Sequence, residues 1–534
     1  MKAYIISTTL LLAAAILICS CEDKLDIPQK GVTNVENFYQ TDEDAMEAIT
    51  AVYNNWRATF TTGFLFKNLM ADDLHKGGAW RDDNLDYENV YESVLTPANS
   101  SHVETYFSNL YSTIYMANLI TDGFTAESSI KSRVLAEARF FRAYCYFELV
   151  TLWGRAPLVT TVLNPGEYKQ PNADIAQLWA QIEQDLTDAI HSNALPSKKD
   201  VNDNEINIRI TLEAATAYLG KVYLYEGKNS EAMNTLEKVV NSGKYALIDD
   251  FGALYHIEAD NCKEYVIETN RHFDTNNLFA QGGLLGVLIN WTFNSFLTVK
   301  DPGLALSYYD FKIDQGFGFM NPTQTLRNAF LKEEGEEGYR LNLSMKTWEQ
   351  IMPMGMDVIE MGVSGNEGLW RWKYLPKQSE EFVIAWGGNF SNTPVLRYAD
   401  VLLMLAEACV KTHNPDASKY LNIVRTRAKL SPKSNITMDD VKLERQLELA
   451  MEALRFQDLI RWGDAPIVLA DKGKKLPTFR ITARTEQGLP LRWEVEYADN
   501  EKPDAGFTVG RDEYLPFPQT EINVNDWLEQ NPGY

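Results

Sequence analysis

Cysteine is scarce in this chain of 534 residues, which has five, at positions 19, 21, 145, 262 and 409. No spacing among the last three fits a zinc site or a thioredoxin-like pair, and three is odd, so no disulfide framework is expected. Cys145 and Cys409 fall inside apolar helical patterns, where a thiol packs as a small hydrophobe. Histidine is as sparse, with six residues scattered without ligand spacing. No HExxH, GxSxG, Walker A or GxGxxG pattern occurs, so the sequence offers no metal centre, no activated nucleophile and no cofactor loop, and no cofactor is expected. Carboxylates are abundant, but among 74 of them close pairs arise by chance, and no glycosidase pair stands out. Basic residues are the minority, 50 against those 74, for a formal charge of -24. A nucleic-acid binder needs a basic stripe that releases counterions, and no such run exists, so nucleic acid is excluded as a partner. Long apolar runs are missing beyond residue 19. The longest, LLGVLINWTF at Leu284 to Phe293, is about half of the ~20 residues that a membrane-spanning helix needs.

What is present begins with a leader. Lys2 precedes an uncharged apolar run from Ala3 to Cys19, then small Ser20, Cys21 and the polar string EDKLD. This reads as an export signal over residues 1–20, because the run is short for a spanning helix and has no basic flank behind it. Ile18 to Cys21 resembles the lipobox of bacterial lipoproteins, which implies cleavage before Cys21 and acylation of its thiol. Two or more acyl chains would hold the protein stably at a bilayer. Residues 21–37, with Pro28 and Gly31, read as a tether.

The body of the chain is helical in pattern. Thr41 followed by Asp44 predicts a capped helix running to about Trp56. Further helices are expected from Val103 to Leu119, Ser129 to Leu152 and Asp174 to Ile190. Asp439 to Trp462 reads as one more, stopped by Gly463. The stretch TPVLRYADVLLMLAEACV, Thr393 to Val410, is apolar almost all round at helical spacing and predicts a central buried helix. Its polar exceptions, Arg397, Asp400 and Glu407, share one face and are expected to form buried structural ion pairs. Two non-tandem segments, starting at Thr211 and Tyr398, each read helix, polar turn, helix. Ala232, Leu236 and Val239 repeat the mutual spacing of Ala417, Leu421 and Val424, which is how tetratricopeptide-like pairs interlock. Repeats this far apart imply that the intervening region is inserted into a helical frame.

RYADVLLMLAEA closely resembles the signature helix of the SusD/RagB family of Bacteroidetes outer-membrane lipoproteins. Ala136 to Val159, Met451 to Gly463 and the tail Tyr514 to Tyr534 extend the resemblance to nearly the whole chain. Family members usually carry a glycine where this chain has Ala453, a departure expected to matter little inside a helix. The resemblance implies a mainly α fold, a tetratricopeptide-like scaffold with a large loop-rich insertion and short strands. It divides the chain into an N-terminal helical region over 38–265, an insertion over 266–392 and a C-terminal region over 393–534 with a packed tail. It also implies capture of oligosaccharides at the cell surface, with delivery to a SusC-like TonB-dependent transporter in the outer membrane. A RagB-like carrier of peptides and, further off, a surface hydrolase are the competing readings.

For the site, the insertion is rich in glycine, asparagine and aromatics, as in NWTFNSF and WRWKYLP. Exposed aromatic faces stack on the CH faces of sugars, although the same rings can fill an irregular core. An earlier stretch, LMADDLHKGGAWRDDN from Leu69 to Asn84, sets a tryptophan among glycines and charges, where it is poorly placed for burial. The resemblance places part of a glycan site there, so Asp73, Trp80 and Arg81 are the leading candidates, followed by Trp291 and Tyr308.

Overall fold

Thr41 starts the first helix as its spacing predicts, accepting from the Asp44 amide at 3.1 Å while the Asp44 carboxylate accepts from the Thr41 amide at 2.8 Å. The computed structural model describes residues 38–78, 80–203, 205–270, 297–299, 318–358, 362–375, 377 and 391–534. Helix α1 (Asp42–Met70) continues nearly four turns beyond Trp56. The intervening threonines, poor helix formers on their own, bond back to carbonyls one turn earlier: Thr59 to Asn55, Thr61 to Arg57 and Thr62 to Ala58. Gly63 brings the helix close to its neighbour, since a Cβ there would lie 2.6 Å from the Tyr106 ring.

After α1 come strand β1 (Leu74–Gly77), the short α2 (Leu85–Tyr91), α3 (Ser101–Gly123) and α4 (Ser129–Leu152). Ser100 and Ser128 cap the last two through bonds to Val103 and Lys131 amides. Helix α5 (Ile175–His191) follows, then the pair α6 (Leu212–Glu226) and α7 (Asn229–Asn241). Strands β2 (Tyr265–Thr269) and β3 (Phe319–Pro322), α8 (Gln324–Glu334), and strands β4 (Val363–Ser364) and β5 (Thr393–Arg397) lead to a second pair, α9 (Tyr398–Lys411) and α10 (Ala417–Arg427). Helices α11 (Met438–Glu448) and α12 (Arg455–Trp462) and a long hairpin, β6 (Lys475–Arg484) with β7 (Pro490–Asp499), precede the tail.

The protein is mainly α. The two expected pairs form, and although far apart in sequence they are neighbours in space, because α9 packs on α7 as well as on α10 and α11. Ala232, Leu236, Val239, Ala417, Leu421 and Val424 are all buried where the pairs interlock. The tail closes over the frame: the Trp153 indole donates to the Pro516 carbonyl at 3.0 Å, and Phe517 is fully buried.

Two expectations are corrected. Residues 393–397 are not the first turn of the central helix but strand β5, antiparallel to β2 with bulges at Pro394 and Leu396. The apolar run looks the same in both conformations, and Thr393, Pro394 and Val395 favour the extended one. Asp439 to Trp462 is two helices, α11 and α12, separated by a turn in which Met451 and Ala453 have φ of 65° and 61°. Ala453 is therefore outside any helix. Of the two roles open to the rings of WRWKYLP, core filling is the one observed: Trp370 and Trp372 are buried, and Trp370 joins Trp348 and Phe479 in a small second apolar core beneath the hairpin.

Arg397, Asp400 and Glu407 are buried and ion-paired as expected, each with different partners. Arg397 meets Glu264 at 2.6 Å, Glu448 at 3.0 Å and Glu452 at 2.6 Å. Asp400 meets Arg445 at 2.6 Å, and Glu407 accepts from Arg461 Nη2 at 2.7 Å. These networks pin α9 to α11 and α12, and removing one member would leave its partner charged and buried.

Candidate functional site

Helix α1 delivers the chain into β1, which pairs antiparallel with β3 through Leu74 and Pro322, His75 and Asn321, and Gly77 and Phe319. The strand ends in a tight exit. Gly77 has φ of 73°, and a Cβ on it would lie 2.1 Å from the Gly318 carbonyl, so no other residue fits. The loop that follows carries Trp80 outward. Trp80 is 63% exposed, against 0–4% for Trp153, Trp370 and Trp372 in the cores.

The loop is fastened on several sides. The Asp83 amide donates back to the Trp80 carbonyl at 3.3 Å, and Asn84 caps α2 by accepting from the Tyr87 amide at 3.0 Å. Arg81 turns inward: its Nη2 donates to Asn500 Oδ1 at 2.6 Å, and its guanidinium lies 3.8 Å from Glu88 and 3.6 Å from Glu92. Glu88 lies in α2 and Glu92 caps its C-terminus one turn on, and both are buried. They also receive Lys502 at 2.9 and 2.8 Å, and the Lys76 ammonium donates to the Arg81 carbonyl. Burial lowers the Lys76 pKa, and Glu88 resists that shift. Lys76, Arg81 and Lys502 thus gather around two carboxylates, and an exposed indole projects from the ordered loop between them.

Asp73 is elsewhere. It is 2% exposed, accepts from Gln446 at 3.2 Å, and lies beside the Asp72–Arg455 ion pair. Burial, and after it the Asp72 carboxylate, push its pKa up to about 7. It supports the base of β1 and does not face solvent with Trp80. On the other edge of β1, His75 contacts the Tyr91 hydroxyl at 2.7 Å and Glu367 at 3.0 Å. Burial raises the Glu367 pKa, but His75, the Tyr497 hydroxyl and the Gln324 amide outweigh it and leave the carboxyl below its usual range. Of the expected site residues, Trp80 and Arg81 come together in one loop, while Trp291, Tyr308 and the lipidation position Cys21 lie outside the described residues.

Sequence reasoning missed the clamp. The i, i+4 spacing of Glu88 and Glu92 just after the loop was the one available signal, whereas Asn500 and Lys502 reach the loop only through the fold. Among the described residues no group of His, Cys, Asp and Glu is placed to hold a metal ion, and no helix is long and apolar enough to cross a membrane.

Comparisons with known proteins agree with this architecture. A model of the SusD family matches residues 363–534, and another, described as starch-binding and associating with the outer membrane, matches residues 33–224. A SusD-like protein of Bacteroides ovatus is 26% identical over 501 residues, covering 86% of this chain and 82% of the relative. Among solved structures, a laminarin-binding SusD-like protein superposes with a TM-score of 0.74 at 26% identity, over 92% of this chain and 99% of the other. Surface glycan-binding protein A from Bacteroides thetaiotaomicron, solved in complex with laminarihexaose, has a TM-score of 0.72 at 22% identity, over 92% of this chain and all of the other, and supports the fold alone.

Proposed function

This chain belongs to the SusD family, and we propose that it is an outer-membrane lipoprotein, displayed at the cell surface, that captures oligosaccharides and passes them uncleaved to a SusC-like TonB-dependent transporter. The observation that carries the reading is Trp80, a large indole held in water on a loop whose Arg81 is committed inward. An indole face offered to water suits the CH face of a neutral sugar. The laminarin-binding neighbour and the starch-binding, outer-membrane description of one matched family model support the ligand class and the location. Trp291 and Tyr308 would add further rings, and Cys21 would carry the acyl anchor. The transporter partner rests on the family resemblance.

The test is calorimetric titration of the soluble chain beginning at residue 22 against laminarin, laminarihexaose, starch and other polysaccharides, with product analysis of the same samples. Binding without new reducing ends supports the proposal. Release of shorter products makes the protein a hydrolase, and silence across the panel with binding of a peptide library points to a peptide carrier. The anchor is tested separately by Cys21→Ala, which should move the protein from the membrane to the soluble fraction.

A further inference from the structure

A cleft of about 550 Å³ opens between the β6–β7 hairpin and the start of α8. Trp493 offers the accessible ring of its wall, backed by the buried Trp348 and Phe479, and Gln324, Gln350 and Glu367 supply polar edges. The rings support one another, with centroids 5.3 Å apart for Trp348 and Phe479 and 6.5 Å for Trp348 and Trp493. Trp493 is half-buried, and its indole N–H donates to Glu349 at 3.0 Å, which fixes the ring at the cleft margin.

A separate observation concerns the same wall. Trp348 is fully buried, yet its Nε1–H has no hydrogen-bond partner among the described residues. A buried donor left unsatisfied costs roughly the desolvation of that group, and in folded proteins nearly all such groups find a partner. Trp348 lines the cleft, so a hydroxyl-bearing ligand there comes near that indole. An aromatic face flanked by amides and carboxylates is also the chemistry that holds a neutral, polyhydroxylated ring.

The cleft lies near the Trp80 loop. The turn bearing Gly365 presses on the exit of β1, where a Cβ on Gly365 would lie 2.5 Å from the Gly77 amide nitrogen. Two residues on, Glu367 accepts from the backbone amide of Gln324 and so lines the cleft from the same turn. By chain reach, Trp80 and Glu367 are separated by no more than about 20 Å at the backbone. We propose that the Trp348–Phe479–Trp493 cleft is a second saccharide subsite, which takes the distal part of a glycan chain whose proximal part stacks on Trp80. The inference rests on the glycan reading given above and adds a length preference to it: chains long enough to reach both places bind more tightly than short ones.

The experiment uses the whole soluble chain, the polysaccharides above and laminari-oligosaccharides of two to six units, with Trp493→Ala, Trp493→Phe and an indole ¹⁵N–¹H NMR titration. The expected result is that affinity rises with chain length in the wild type. Trp493→Ala lowers affinity for long chains by roughly tenfold, the scale of one lost aromatic stack, and leaves short-chain affinity unchanged. Trp493→Phe restores most of the loss, and the Trp348 indole resonance shifts as long chains are added. Wild-type affinity of Trp493→Ala at every length, with an unmoved Trp348 resonance in the wild type, overturns the second subsite while leaving the glycan reading intact. Failure of the wild type to bind any glycan overturns both.

Discussion

Arg81 donates to Asn500 at 2.6 Å across 419 residues of sequence, so the loop that exposes Trp80 is fastened to the segment after the hairpin. The two neighbours, Trp80 and Arg81, therefore separate cleanly by experiment. Trp80→Ala removes a ring that is mostly in water, and stability should stay within about 0.5 kcal/mol, as for most surface substitutions, while glycan affinity is lost. Arg81→Ala acts through loop order. Its ion pairs are long and its side chain is one-third exposed, so screening holds the stability cost to about 1 kcal/mol. Affinity should fall with it, and hydrogen exchange of residues 78–84 should accelerate. An Arg81→Ala protein with unchanged exchange and unchanged affinity would show that the clamp does not position Trp80.

A second prediction concerns pH. Burial first, and the Asp72 carboxylate second, raise Asp73 from 3.8 to about 7, against the opposing influence of Arg455, Gln446 and Lys373. Burial likewise raises Glu268 from 4.5 to about 8, although the Asn261 amide and the Asn392 side chain resist it. In both cases the folded state holds a proton that the unfolded chain releases near pH 4. Their stabilising contribution is thus complete below that pH and is lost as pH rises towards 7 or 8. Resistance to urea should decline between pH 5 and 7. At about 1.4 kcal/mol for each tenfold difference in proton affinity between the folded and unfolded chain, Asp73 accounts for at most a few kcal/mol of that decline. Asp73→Asn, which keeps the bond from Gln446 without a titrating proton, should flatten the slope over this window, and an unaltered slope would assign it to other groups.

Much of the frame was legible because its signals are local. The cap at Thr41 and the apolar period mark helices without reference to the rest of the chain, and the repeat spacing of Ala232, Leu236 and Val239 announces the helix pairs. What escaped depends on distant partners. Strand β5 exists because Tyr265–Thr269 pairs with it from more than 120 residues away. Asp73 reads as exposed beside glycines and charges, but Gln446 and Arg455 close over it. Arg81 reads as a ligand contact until α2 and Asn500 are placed around it. In each case the deciding partner lies far away in the sequence.

Ala453 gives the third prediction. Its φ of 61° lies in the left-handed region, and the turn around it is held by Asn68, which accepts from the Ala453 amide at 3.0 Å, and by Lys373, which donates to the Ala450 carbonyl at 2.8 Å. A side chain in this conformation costs about 1–2 kcal/mol. Burial of the alanine methyl offsets about 0.8 kcal/mol of that. Ala453→Gly should therefore stabilise the protein by roughly 0.5–1 kcal/mol, seen as a higher midpoint in thermal or urea unfolding. Ala453→Val, with a branched side chain at the same φ, should lower the midpoint. A destabilised glycine variant would mean that the methyl contact outweighs the backbone strain.

The last prediction sets two general effects against each other at Gly220, in the middle of α6. Helix propensity alone favours Gly220→Ala by about 1 kcal/mol. Packing opposes it, because a Cβ there would lie 2.6 Å from both Cγ and Cδ2 of Leu236, the buried residue by which α7 interlocks with its partner. Leu236 is enclosed and cannot swing into solvent, so the added methyl must push the two helices apart. Overpacking of this kind typically costs about 1–3 kcal/mol, which exceeds the propensity gain over most of its range. Gly220→Ala is accordingly expected to lower the unfolding midpoint, and Gly220→Ala combined with Leu236→Ala, which removes the obstructing atoms, should be less destabilised than the two single changes added together. Additive behaviour of the pair would show that the close approach of α6 and α7 does not limit their packing.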